Sequence, residues 1–423
     1  MSPLEDPRGS VALDLARTLA RELNALSRGC PEDERLVEAT GVASALAVEL
    51  DQGVDALIER AGAALEARRA DEAVDHLRGL AMPANPVSGS SVDVEEPAID
   101  TAAFQRFVQS TPMAGLTVLG VRRLTGGYSK VTTMVECREA DGVAADVVVR
   151  QIPRGRSAQS LELEFRLLQA LHGRGFPVPE PLWLETKTTE MGGPFMVSRR
   201  AAGSSPGTIW GASSLSPEAC HSIARIYARL HTLPVPELTL PVSPRRTADD
   251  LREMIDWQEA TLARRGIGVD RVLGQLLAWL RRHLPQHPWS PVILHGDATL
   301  ANLMLVDDTV TAVIDWELAH LGDPSEEIAY LRPFVEPFID WQTFLAEYHA
   351  HGGPPVNEEA IAFYTVWADV WRYIGTLWMG QNFHQTGRYA GAVSRYVNGP
   401  AYLRSAVRIV HEQTDRDGPQ PSA

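Results

Sequence analysis

The sequence predicts an α+β protein with a small antiparallel β lobe, a mainly helical lobe after it, and an all-helical unit ahead of both. Three observations carry that expectation. Between residues 116 and 198, short runs rich in Val and Ile are set off by Gly- and Pro-containing turns. After residue 217, apolar residues recur at helical spacing over long stretches. A Pro-, Ser- and Asp-rich run over 82–98 breaks the pattern before either begins. The expected division is a helical unit over 1–81, a linker over 82–98, a β lobe over 99–200, a helical lobe over 201–415 and a disordered tail over 416–423.

At 423 residues two or three units are expected. A hydrophobic content of 44% and a charged content of 22% are those of an ordinary globular protein. A net charge of −15 argues against a nucleic-acid or anionic-membrane binder. Cys30, Cys137 and Cys220 lie far apart and form no metal-like spacing, which suits a reducing compartment and a cytoplasmic location. No apolar run approaches the length needed to span a bilayer, and Met1–Ser10 is polar, unlike a signal peptide. Only Lys130 and Lys187 are lysines, so nearly all cations are Arg, and Arg where Lys is customary is weak evidence of lost function.

Taken in order, Leu13, Leu19, Leu23, Leu36–Leu50 and Leu57–Leu65 give 11–80 a helical pattern without chemistry, a surface for a protein partner or self-association. Ala102–Ser110 reads as a helix. Leu116–Leu124, Val131–Cys137 and Val147–Gln151 read as strands, with Gly126, Gly127 and Ser129 in the first turn. Glycines there let backbone N–H groups approach phosphate oxygens with no Cβ in the way, although a plain tight hairpin has the same signature. Arg150 lies in the third strand, where a strand-borne lysine would reach nucleotide phosphates; a guanidinium can grip the same oxygens. The following helix, Ala158–His172, offers Glu162 and Glu164 as ion-pair partners, of which Glu164 falls on the inward face. The proline-fixed segment from Phe176 leads to a strand at Phe195–Ser198 and the turn after it. Helices are expected over Pro217–His231, Ala248–Ala263 and Val272–His283, and the Trp367, Trp371, Tyr373 and Trp378 series reads as core.

The most informative stretch is 292–317. An apolar run, Val292–Leu294, delivers His295-Gly296-Asp297 into a loop, and Asn302 follows five residues later. Leu303–Val306 and Val310–Ile314 then form a short hairpin that ends on Asp315. Singly these residues are common in turns. Jointly they put two carboxylates and an amide at one end of a rigid hairpin. Mg²⁺-dependent phosphoryl transfer needs such a set: one Asp to orient a hydroxyl, an Asn and an Asp to hold the metal. The Asp-x4-Asn spacing is that of the protein-kinase catalytic loop. His295 is expected to brace the loop rather than act as a base.

With these residues assembled, residues 115–400 resemble the aminoglycoside phosphotransferase/choline kinase superfamily of protein-kinase-like enzymes. The runs His295-Gly-Asp-Ala-Thr-Leu-Ala-Asn302 and Val313-Ile-Asp-Trp-Glu-Leu-Ala-His-Leu-Gly-Asp-Pro324 carry the resemblance. The second run and the Arg150 strand are most similar to the branch found with acyl-CoA dehydrogenases, some members of which phosphorylate hydroxyacyl-CoA thioesters. The resemblance implies a two-lobed protein-kinase-like fold, Asp297 as catalytic base, and Asn302 and Asp315 as Mg²⁺ ligands. It also implies a phosphate loop at Gly126–Ser129, an Arg150–Glu164 pair, and a hinge at Ser198, Arg199 and Arg200, with ATP as co-substrate. Many relatives carry an acidic residue where this hinge has Arg199-Arg200, which opens the choice of GTP. Relatives usually follow Gly-Asp-Pro with Glu-Asp, where this chain has Glu326-Glu327.

The expected function is phosphoryl transfer from ATP to a hydroxyl of a small molecule such as a hydroxyacyl-CoA. An aminoglycoside, macrolide or choline-like acceptor would want carboxylates such as Glu253, Asp256 and Glu259. A CoA would want Arg281, Arg282 or Arg372. The reading from another class is a nucleotide-binding pseudokinase scaffold docked through the N-terminal helices; the intact Asp297, Asn302 and Asp315 set argues against it.

Overall fold

The structure is a computed structural model, described here for residue 99 and for 101–124, 130–152, 157–187, 191–207, 214–234, 247–386 and 399–417. The expectations for the N-terminal helical unit, the linker, the tail and the turn bearing Gly126, Gly127 and Ser129 lie outside these residues. The chain divides into two compact units. One comprises Val94–Ala260 and Leu280–Ala368; the described part of the other falls within Thr261–Trp279 and Asp369–Ala423.

In the larger unit, helix α1 (Thr101–Gln109) precedes strands β1 (Thr117–Leu124), β2 (Val131–Arg138) and β3 (Val147–Gln151). Helix α2 (Gln159–His172) follows, then β4 (Pro181–Glu185) and β5 (Phe195–Arg199). The five strands form one antiparallel sheet in the order β1-β2-β3-β5-β4. In β3, Val147, Val149 and Gln151 are buried while Val148 and Arg150 are only partly so, the period-two pattern of a strand with unlike faces. Helix α1 covers one face: Phe104 and Val108 are fully buried among Val135, Val147, Val149 and Phe195. Phe107 meets Phe195 edge-on at 5.1 Å and Trp183 at 6.2 Å, contacts that add roughly 1 kcal/mol each beyond their buried area. The proline-fixed segment beyond Phe176 becomes β4, because its Pro181–Glu185 half finds β5 to pair with.

The helical part of this unit contains α3 (Pro217–His231), capped by the Ser216 hydroxyl on the Ala219 N–H at 3.0 Å. Helices α4 (Ala248–Arg264) and α5 (Arg271–Arg282), whose Thr261–Trp279 portion belongs to the other unit, lead to β6 (Val292–Leu294). The hairpin is β7 (Leu303–Val306) and β8 (Thr309–Val313), and β9 (His320–Gly322) returns to pair with β6. That last strand has no period to betray it: three residues are too few to show alternation. Helix α6 (Pro324–Val335) starts at Asp323, whose carboxylate accepts from the Ser325 N–H at 2.8 Å. Helices α7 (Trp341–Ala350) and α8 (Glu358–Thr386) follow. The small β sheet and helical remainder are the architecture expected of a kinase-like α+β chain.

In the second unit, Asp270 accepts from the Leu273 N–H at 2.8 Å and from the Tyr373 hydroxyl at 3.0 Å. The last described helix is α9 (Gly399–Asp417), and Arg372 lies over its Tyr402 ring at 5.7 Å. Arg265 lies over Trp378 at 4.7 Å. Of the aromatic series, Trp367 and Tyr373 are buried, but Trp371 and Trp378 are only partly covered. They are therefore not wholly core; helical spacing cannot tell a buried stripe from one that laps its edge.

One buried charge holds the two halves of the 292–327 stretch together. Glu327, on α6, accepts from the Gly296 N–H at 3.1 Å and from the His295 N–H with its other oxygen. Burial works to raise the Glu327 carboxyl, but His231 at 3.8 Å, His295 and the loop N–H groups hold it below its ordinary 4.5. Glu327→Gln should cost about 3 kcal/mol of stability, because an amide offers one oxygen and sets its NH₂ against a donor. The depressed carboxyl stabilises the fold fully above pH 4.5, and that contribution is lost as pH falls through the folded-state value. Urea midpoints of wild type and variant should therefore differ most near neutrality and converge in acid.

Candidate active site

The loop after β6 is shaped by three hydrogen bonds and one glycine. Gly296 has φ 81°, and a Cβ on it would lie 2.3 Å from the Leu318 carbonyl oxygen, so no other residue fits. The fully buried His295 ring accepts from the Asp297 N–H at Nδ1 (3.2 Å), which leaves Nε2–H to donate to the Ile314 carbonyl at 2.9 Å. The imidazole thus ties the loop to the end of β8 and packs edge-on against Trp316 at 4.7 Å. It is a brace, as the sequence suggested.

Asp297 projects from this loop with both carboxylate oxygens engaged. The Asn302 amide donates to Oδ2 at 2.8 Å and to the Asp297 carbonyl at 2.9 Å; the Tyr330 hydroxyl donates to Oδ1 at 2.6 Å. Asn302 ends a single 3₁₀ turn, Leu300–Asn302, that runs straight into β7. Its carbonyl accepts from the Ile314 N–H at 2.9 Å, closing the open end of the hairpin. This is how a linear separation of thirteen residues becomes adjacency: Asp315 follows Ile314 directly. Asp315 sits at φ 66°, ψ 63°, a left-handed conformation that Asp tolerates better than most residues but that still costs energy.

Across from the hairpin, Arg150 on β3 pairs with Glu164 on α2 through Nη1 and with Asp315 through Nη2 at 2.5 Å. Of the two glutamates offered by α2, Glu164 is the partner; it is buried, whereas Glu162 is only partly so. Lys130, just before β2, joins the same cluster: Nζ is 3.1 Å from Glu164 Oε2 and bonded to Glu317. Burial works to raise the Asp315 carboxyl, but Arg150, by charge and by hydrogen bond, and then Lys130 hold it below the usual carboxylate range. Burial likewise opposes the Arg150 charge, which its carboxylate neighbours more than restore.

Among the described residues no group of three or more His, Cys, Asp or Glu side chains gathers to hold a metal ion. The Asn302 carbonyl bond to Ile314 brings the chain at Asn302 beside that at Asp315. An amide and a carboxylate are the donor types that suit Mg²⁺, which takes one or two protein oxygens and completes its shell with water and phosphate.

The hinge residues stand apart from Asp297. Ser198 is buried in β5 opposite Val148. Arg199 pairs with Glu139 at 2.9 Å, and Arg200 with Asp146 at 3.2 Å. Their backbone N–H groups donate to the Glu180 and Asp146 carbonyls. Arg199 and Arg200, with Glu139 and Asp146, line a cleft of about 430 Å³ at the β2–β3 turn that does not include Ser198, Asp297, Asn302 or Asp315.

Sequence reasoning missed Tyr330, the attachment of Lys130, and the part played by Glu327. Glu327 and Tyr330 are three residues apart and so share one face of α6. An acidic residue and a tyrosine at that spacing, one turn into a helix that follows Gly-Asp-Pro, was the available signal.

The profile of the phosphotransferase enzyme family matches residues 120–364. Acyl-CoA dehydrogenase family member 11 of Homo sapiens is 28% identical over 271 residues, covering 60% of this chain and 34% of that protein. The chain thus matches about a third of the length of these relatives. The macrolide 2′-phosphotransferase of Brachybacterium faecium superposes with a TM-score of 0.51 at 21% identity, covering 70% of this chain and 98% of that one. The GDP complex of aminoglycoside 2′-phosphotransferase-IIIa gives 0.51 at 15% identity, covering 76% and 100%. At such identities the two structures share the fold. With more than half its length matched by the family profile, the chain belongs to the phosphotransferase enzyme family.

Proposed function

We propose that this protein transfers the γ-phosphoryl group of ATP to a hydroxyl of a small molecule, and that the acceptor is a hydroxyacyl-CoA. The observation that carries the reaction type is the carboxylate of Asp297, oriented by Asn302 and Tyr330 next to a hairpin end that presents Asp315. Asp297 accepts the acceptor's hydroxyl proton as that oxygen bonds to the γ-phosphorus; the bond between that phosphorus and the bridging oxygen breaks, and ADP leaves. Asn302 and Asp315 would hold Mg²⁺, which supplies charge neutralisation at the phosphates. Arg150, kept on Glu164, adds a fixed positive charge. Positioning and electrostatics, rather than covalent chemistry, supply the rate. The nucleotide is assigned as ATP, with GTP as the comparison, since a neighbour of the same fold holds GDP.

For the acceptor, the support is the kinship with acyl-CoA dehydrogenase family members. The rival cationic acceptor loses its best candidates. Arg281 bonds to Asp256 at 2.7 Å and to Glu259 at 2.5 Å, so both carboxylates are already engaged by one cation and half their charge is offset. The same contacts occupy Arg281, and Arg372 pairs with Asp369 at 3.3 Å, so neither is an uncommitted cation for CoA phosphates. Kinship rather than side-chain inventory is therefore what supports the choice.

Asp297→Asn should lower kcat about a thousandfold while nucleotide affinity, read by thermal shift with Mg²⁺, stays near wild type. Unchanged turnover removes Asp297 from the reaction. Tyr330→Phe leaves the carboxylate in place and removes one of its two anchors. It should lower kcat roughly tenfold with little change in the KM for ATP. Nucleotide consumption measured against hydroxyacyl-CoAs, aminoglycosides and macrolides assigns the acceptor; turnover with the antibiotics alone overturns the CoA reading.

A further inference from the structure

The nucleotide side of the site contains two cations, not one. Arg150 occupies Glu164 Oε1 and Asp315; Lys130 contacts Glu164 Oε2 and Glu317. The Lys130 side chain is 2% exposed and that of Glu164 1%, against 15% for Arg150 and 35% for Asp315. Lys130 therefore lies beneath, and Arg150 nearer the opening. Together they face three carboxylates, Glu164, Asp315 and Glu317, so the cluster carries an excess of negative charge. A triphosphate cannot approach such a cluster favourably unless cations turn toward it. A compact ammonium reaches carboxylates on two different elements from a buried position where a planar guanidinium would need more room.

We infer that Lys130 is a positioning residue: it neutralises Glu164 and Glu317 and thereby frees Arg150 to exchange Asp315 for nucleotide phosphate. The inference rests on the phosphotransferase reading above. In it, Asp315 turns to the metal when Mg²⁺-nucleotide binds, and Arg150 Nη2 is released while Nη1 stays on Glu164. Without Lys130, Arg150 is the sole counter-charge for three carboxylates and stays bound to them.

The test uses the full chain and Mg²⁺-ATP, with affinity read by calorimetry and KM and kcat by turnover. Lys130→Met should weaken nucleotide binding at least tenfold. The double variant Lys130→Met/Glu317→Gln, which removes one charge of each sign, should return to within about threefold of wild type. Lys130→Arg should lie between wild type and Lys130→Met. Full-strength binding by Lys130→Met overturns the inference. So does a double variant as weak as Lys130→Met, since the ammonium would then be needed at the phosphate itself. If Lys130→Met does not fold, the double variant alone decides, because it leaves the net charge of the cluster unchanged and Glu164 still paired with Arg150. Absence of nucleotide binding by wild type would instead sink the reading on which the inference depends.

Discussion

The buried Glu327 carboxylate is the constraint on which the rest of the site depends. A loop that presents an aspartate to solvent must leave backbone N–H groups without strand or helix partners, and burying them unpaired costs several kcal/mol. Glu327 takes two of them, from His295 and Gly296, and it can do so because only Asp323 separates α6 from β9, which pairs with the strand that leads into the loop. The same helix face delivers Tyr330 to Asp297. Stability and reactivity thus share one short helix, and a change that tilts α6 moves both the loop and the hydroxyl that orients its carboxylate.

The second organising feature is the charge cluster that links the sheet, α2 and the hairpin end. Glu164 serves both cations, while Asp315 meets Arg150 and Glu317 meets Lys130, so removing Glu164 or either cation leaves a partner uncompensated. Arg150 in place of lysine is accommodated because its fork spans Glu164 and Asp315 at once. Lys130 then fills the point-charge role that a guanidinium does not.

Elsewhere the chain settles its charges internally. Arg281, Asp256 and Glu259, offered by the sequence for acceptors, pair with one another, and the hinge residues Arg199 and Arg200 pair with Glu139 and Asp146. A charged residue in a sequence is equally a ligand contact or a surface pair. Only its neighbour in space tells which. Among the described residues, no helix is long and apolar enough to cross a membrane.

By itself the sequence determined most of the strands and helices and singled out the 292–317 stretch with its Asp297, Asn302 and Asp315. These depend on local periodicity, on turn residues and on a short fixed spacing, all of which a linear reading captures. It also found the Arg150–Glu164 pair, since one strand and the next helix must pack together. The tertiary structure alone decided what lies far apart in the chain: Lys130 against Glu317 across 187 residues, Tyr330 on Asp297, and the return of β9 to β6. The reason is physical. Periodicity records which face of an element is buried, whereas the identity of the partner is fixed by how elements pack, and a lysine after a glycine turn looks the same whether it meets a phosphate, a carboxylate or water.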